Sequence, residues 1–118
     1  MSSSAFSLTL IEPRDGFVVT KGEPVIGGLH GASRHFFCPH CMSWLFTRPD
    51  AAPQIVNVRA TLLDDASWFA PYMETWTSEK LAWAVTGAVR SFAALPAQDA
   101  FGGLIAEFQQ HAGSQAAS

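Results

Sequence analysis

Charge is scarce in this sequence. Only 14% of its 118 residues are Asp, Glu, Lys or Arg, against 48% hydrophobic, so the fold has little charge with which to cover its surface and leaves apolar surface for a partner. The formal net charge is −3 and the seven basic residues are scattered. Without a basic patch there is no electrostatic footprint for nucleic acid. No apolar run approaches the ~20 residues of a bilayer span, so no membrane association is expected. Met1-Ser2-Ser3-Ser4 has no cationic character and no apolar segment follows it, so a secretory leader is not expected either and the cytoplasm is the expected compartment. Cysteine is nearly absent. The two present cannot build a disulfide framework, and in a reducing compartment such a pair points to metal binding or catalysis.

Both cysteines lie in one stretch, Ser33 to Arg48, S-R-H-F-F-C-P-H-C-M-S-W-L-F-T-R. It also contains His35, His40 and the densest run of aromatics. Cys38 and Cys41 stand at the spacing from which one tight turn aims two sulfurs at one point, and that serves either zinc ligation or dithiol redox chemistry. A tetrahedral zinc needs two further ligands, for which His30, His35, His40 or the same pair from a second subunit are candidates. Phe36-Phe37-Cys38-Pro39-His40-Cys41 also resembles the active-site motif of DsbA-type thiol oxidases. In those proteins the first cysteine opens a helix, whose dipole lowers its pKa. Here Trp44 and Phe46 alternate with Ser43, Leu45 and Thr47, Pro49 ends any helix early, and no βαβ unit precedes the motif. In a third reading the cysteines are buried apolar residues without a role.

The length suits one domain with a modest core, expected over residues 1–111. Alternation of Phe6, Leu8 and Leu10 with Ser7 and Thr9 predicts a strand over Ala5 to Ile11. Glu12-Pro13-Arg14-Asp15-Gly16 reads as a turn, Phe17 to Thr20 as a short strand, and Val25-Ile26 as another. A glycine-rich connection, Gly27-Gly28-Leu29-His30-Gly31, leads to a hairpin whose arms are Arg34 to Phe37 and Ser43 to Thr47. Val56 to Leu62 alternates most clearly. Glu74 to Trp76 reads as strand. From Asp99, the residues Phe101, Leu104, Ile105 and Phe108 recur at helical spacing, with Gly102 and Gly103 weakening the helix by about 1 kcal/mol each. Ala112 to Ser118 reads as a flexible tail. The sum is a mainly β domain of short antiparallel strands with a C-terminal helix.

Several pieces together resemble the glutathione-dependent formaldehyde-activating enzyme (GFA) family. Ser3 to Leu10 looks like the segment after that family's second cysteine cluster. Pro13 to Glu23 is similar to its P-x-x-x-F-x-V-T-x-G-E hairpin, and Arg34 to Phe46 to its R-x-F-C-x-x-C-G-x-x-L-F. Val58 to Asp65 looks like a strand ending in L-D-D, and Trp76-Thr77-Ser78-Glu79-Lys80-Leu81-Ala82-Trp83 like W-x-x-x-K-x-x-W. The resemblance implies an Mss4-like β-tent, zinc as cofactor, Cys38 and Cys41 as metal ligands, and a glutathione-like small molecule as partner. The implied activity is a carbon-sulfur lyase reaction joining formaldehyde and glutathione.

Two departures shape the expectation. Met42 stands where the family has Gly after its second C-x-x-C cysteine, and Met accepts positive φ poorly, so the turn is expected to differ in detail. The family's C-x-C-G segment and middle cysteine cluster have no counterpart here. The resemblance thus implies half of the structural zinc site and no catalytic one, as in a chain truncated at its start. A homodimer is expected, with two C-x-x-C pairs completing one site across a two-fold axis. A thiol-disulfide oxidoreductase and a non-catalytic interaction domain docking through an unpaired sheet edge are the alternatives. His30, His35, Asp64, Asp65 and Glu74 are polar residues that a cleft would use, and Trp68, Phe69, Tyr72, Trp76 and Trp83 form a candidate aromatic wall or core. None is assigned a catalytic role.

Overall fold

The computed structural model describes residues 4–28 and 31–117, with side chains up to residue 113. The chain divides into two compact units, residues 1–69 and 70–118. No helix among the described residues is long and apolar enough to cross a membrane.

The first unit is built on a five-stranded antiparallel sheet of β1 (Thr9–Pro13), β2 (Val25–Gly27), β3 (Ser33–Phe37), β4 (Trp44–Pro49) and β5 (Ile55–Arg59), in the order β1-β5-β4-β3-β2. Register decides its two faces, because side chains alternate along each strand. Leu10 pairs with Val58, Val58 with Phe46, and Phe46 with Phe36, which forms an apolar row across four strands. Phe36 stacks on Phe46 with centroids 4.7 Å apart, and Phe17 meets Phe46 edge-on at 4.8 Å. Val56 on the same face is fully buried. The opposite face carries Ile11, Asn57, Thr47 and His35 in one row, with Phe37 buried beyond them. Gly27 leaves room for that ring, since a Cβ at this position would lie 3.0 Å from it, a tight contact.

The second unit holds a two-stranded parallel pair, β6 (Met73–Glu74) with β7 (Arg90–Ser91), and one helix, α1 (Phe101–Ala117). The molecule is therefore mainly β with one C-terminal helix, and its large sheet is wholly antiparallel. Tyr72 packs on Phe108 and His111, with centroids at 5.6 and 5.1 Å.

The elements depart from the sequence expectation in places, each for a physical reason. Phe17 to Thr20 is not a strand, because its apolar residues do not serve a ladder: Phe17 packs on Phe46 while Val18 is 71% exposed. The Val56 to Leu62 strand stops at Arg59, where the backbone tightens into a 3₁₀ turn over Ala60–Leu62 that buries Ala60. The Glu74 to Trp76 strand ends at Glu74, since Trp76 has φ 58 and opens a 3₁₀ turn. Hydrogen bonds hold that turn, with Trp76, Thr77 and Ser78 N–H donating to the carbonyls of Ala94, Phe92 and Ala93. A 3₁₀ turn over Gln98–Ala100 precedes α1, and Ile105, expected on the packed stripe, is exposed.

Candidate functional site

β3 and β4 form the expected hairpin, and its tip is Cys38 to Ser43. A register shift between Phe36 and Phe37 brings Phe37 opposite Trp44, so the ladder narrows into the turn. Two backbone hydrogen bonds close it: Cys38 N–H donates to the Ser43 carbonyl at 2.9 Å, and Met42 N–H donates to the Cys38 carbonyl at 2.8 Å. Met42 sits at φ 60. Met42 thus occupies the left-handed region that glycine would fill easily and that a residue with a Cβ enters at a cost. The flanking strands impose the conformation and Met42 bears its cost, of order 1–2 kcal/mol for a residue with a Cβ.

Both thiols are free, Cys38 half-buried and Cys41 exposed. The Cys41 thiol donates to Ser43 Oγ at 3.2 Å. Its pKa is lowered because, once ionised, the sulfur accepts hydrogen bonds first from the Ser43 hydroxyl, then from the Ser43 backbone, then from Cys38. Two soft donors on one tight turn suit a thiophilic ion such as zinc. They fit half of its coordination shell. Among the described residues no group of three His, Cys, Asp or Glu could hold a metal, so neither His35 nor His40 joins the two cysteines. His30 lies outside the described residues.

Of the other polar candidates, Asp64 is exposed, and His35, Asp65 and Glu74 are engaged in local structure. His35 Nδ1 is 2.8 Å from Thr47 Oγ1. Asp65 accepts hydrogen bonds from the N–H and hydroxyl of Ser67, which lower its pKa. Glu74 accepts from Thr86 and Ser91, each at 2.7 Å, with the same effect. Of the aromatic candidates, Trp68, Trp76 and Trp83 are 56%, 49% and 72% exposed, while Phe69 is half-buried and Tyr72 packs on Phe108 and His111.

Sequence reasoning missed one constellation. Thr47, buried in the middle of the sheet, accepts from Trp44 Nε1 at 3.0 Å and also meets His35. The Arg59 guanidinium lies over the Trp44 ring, 4.2 Å from its centroid, and donates to Thr9 Oγ1 at 3.5 Å. Four strands contribute to this cluster. The alternation of Val56, Val58 and Ala60 with Asn57 and Arg59 was the signal available, since it put Arg59 on the polar face. In the second unit, Arg90, Ser91, Leu104 and Glu107 line an open groove. Its cation is bound to Glu107 through Nε, at 3.0 Å, and through Nη2. With Tyr72 as a second donor, this pair pulls the Glu107 carboxyl down to about 2.

A family model described as glutathione-dependent formaldehyde-activating enzyme matches residues 1–79. That span contains the whole five-stranded sheet and the Cys38–Cys41 turn. No curated protein and no solved structure matches the chain.

Proposed function

This chain belongs to the glutathione-dependent formaldehyde-activating enzyme family, and from that premise we propose that it is a zinc-binding protein in which Cys38 and Cys41 supply two thiolates of a structural site. The observation that carries the reading is the hairpin tip. Two antiparallel strands and two backbone hydrogen bonds hold the C-x-x-C turn, as a metal knuckle requires. Zinc bound there would cross-link the ends of the hairpin, a folding contribution of the kind structural zinc makes. Ser43 favours ionisation of Cys41, the form in which a thiol ligates metal.

The remaining ligands come, in this proposal, from Cys38 and Cys41 of a second copy, so that a homodimer carries one four-thiolate site. The proposal does not extend the family's formaldehyde chemistry, a carbon-sulfur lyase reaction using glutathione, to these 118 residues. They contain two cysteines, and the proposed structural site uses both. A glutathione-like small molecule remains the proposed partner class.

Dithiol oxidoreductase chemistry finds less support. The helix that would open at the first cysteine is replaced by a turn running into β4. An insulin-reduction assay should show no activity.

Metal analysis of protein purified without chelator tests the zinc proposal. We expect one zinc per two chains, lost in both Cys38→Ser and Cys41→Ser. Metal-free protein carrying a Cys38–Cys41 disulfide would overturn it.

A further inference from the structure

Arg59 is, with Arg48, one of two arginines of the first unit that lie over aromatic rings. It is half-buried at the end of β5, and burial pushes its pKa below the ordinary arginine value. Among the described residues no carboxylate forms an ion pair with it; the ion pairs there are Arg34–Asp50 and Arg90–Glu107. Removing a guanidinium from water without a counter-ion is unfavourable, and a stacked ring and one long hydrogen bond to a hydroxyl only partly offset it. Its neighbours hold it in place. Trp44 lies beneath it at 4.2 Å, and the Trp44 indole is fixed by its hydrogen bond to buried Thr47 at 3.0 Å. Thr47 is anchored in turn by His35 at 2.8 Å. The planar fork is thus oriented before any ligand arrives, which lowers the ordering cost of binding.

We propose that Arg59, stacked on Trp44 beside Thr9 and Asn57 on the polar face of the sheet, is a binding site for the terminal carboxylate of a small organic acid. The guanidinium presents two parallel N–H groups to the two carboxylate oxygens. The Thr9 hydroxyl, 3.5 Å from Nη1, and the Asn57 amide, two residues earlier on the same face, are further donors. The chemistry favours a monoanionic carboxylate over a phosphate. Arg59 is the only Arg or Lys at a paired position of this face (Thr9, Ile11, Asn57, Thr47, His35), and a dianion in a chain of net charge −3 calls for more positive charge. This site is separate from the proposed metal ligands and uses none of them.

The test is a titration of the ¹⁵N-labelled full chain with N-acetylglycine, and in parallel with its methyl ester, which lacks the charge. The expected result is a saturable shift of the Arg59 Nε–H and Trp44 Nε1–H resonances with the acid alone. Arg59→Gln should weaken binding about tenfold or more, the loss of a charge-assisted contact. Arg59→Lys, which keeps the charge and loses the fork, should fall between. Equal shifts with acid and ester, no shift with either, or unchanged affinity in Arg59→Gln would each overturn the proposal. Should Arg59→Gln fail to fold, the wild-type comparison of acid and ester decides alone.

Discussion

Replacing Met42 by glycine should stabilise this protein, although it removes a large apolar side chain. The side chain is 60% exposed, so truncation gives up little buried area. The backbone stands at φ 60, where Met42 N–H donates to the Cys38 carbonyl at 2.8 Å. Relieving a left-handed residue of its Cβ recovers about 1–2 kcal/mol. Glycine also loosens the unfolded chain, at a cost of about 0.5–1 kcal/mol. The balance is a gain of up to about 1.5 kcal/mol for Met42→Gly. Met42→Val runs the other way, because a β-branched residue fits this region worse, and should lose about 1 kcal/mol or more. Urea unfolding followed by tryptophan fluorescence measures both, and the midpoint should move with little change in slope. A lower midpoint for Met42→Gly, or an unchanged one for Met42→Val, would refute the view that the strands force the turn on a reluctant residue.

Other expectations follow from packing and charge. Phe46→Ala should cost about 3–5 kcal/mol by chemical denaturation, since the ring is buried between Phe17 and Phe36. Gly102→Ala should stabilise by about 0.5–1 kcal/mol, because a Cβ there meets nothing within 4 Å in a helix that glycine weakens. Glu107 ionises at about 2 in the folded protein against an ordinary 4.5. The stability it contributes is therefore fully present above pH 4.5 and lost as pH falls towards 2. Melting temperatures of wild type and Glu107→Gln should differ at pH 6 and converge at the acid end of that window.

The hairpin around the cysteines was legible because each local signal agreed. Alternation marked both arms, and the two-residue spacing with Pro39 marked the tip. The strand over Val56 to Arg59 was legible for the same reason. Phe17 to Thr20 misled because an apolar run reads the same whether its residues enter a ladder or one ring leaves to pack on a neighbour, as Phe17 does on Phe46. Trp76 misled because its left-handed φ is held by hydrogen bonds to residues 92–94, partners that no local window contains. The Arg59 cluster escaped notice for a related reason. Thr9, His35, Thr47 and Arg59 are far apart in sequence, and only the register of four strands brings them together. A C-x-x-C pair announces its chemistry by spacing, whereas a cation stacked on an indole is visible only once the sheet is assembled.

The account rests most heavily on Cys38 and Cys41 as metal ligands. X-ray absorption at the zinc edge of the purified protein addresses this directly, because sulfur at about 2.3 Å and nitrogen or oxygen at about 2.0–2.1 Å are readily distinguished. A first shell of four sulfurs, collapsing in Cys38→Ser, is the predicted result. A first shell of nitrogen and oxygen alone would contradict it.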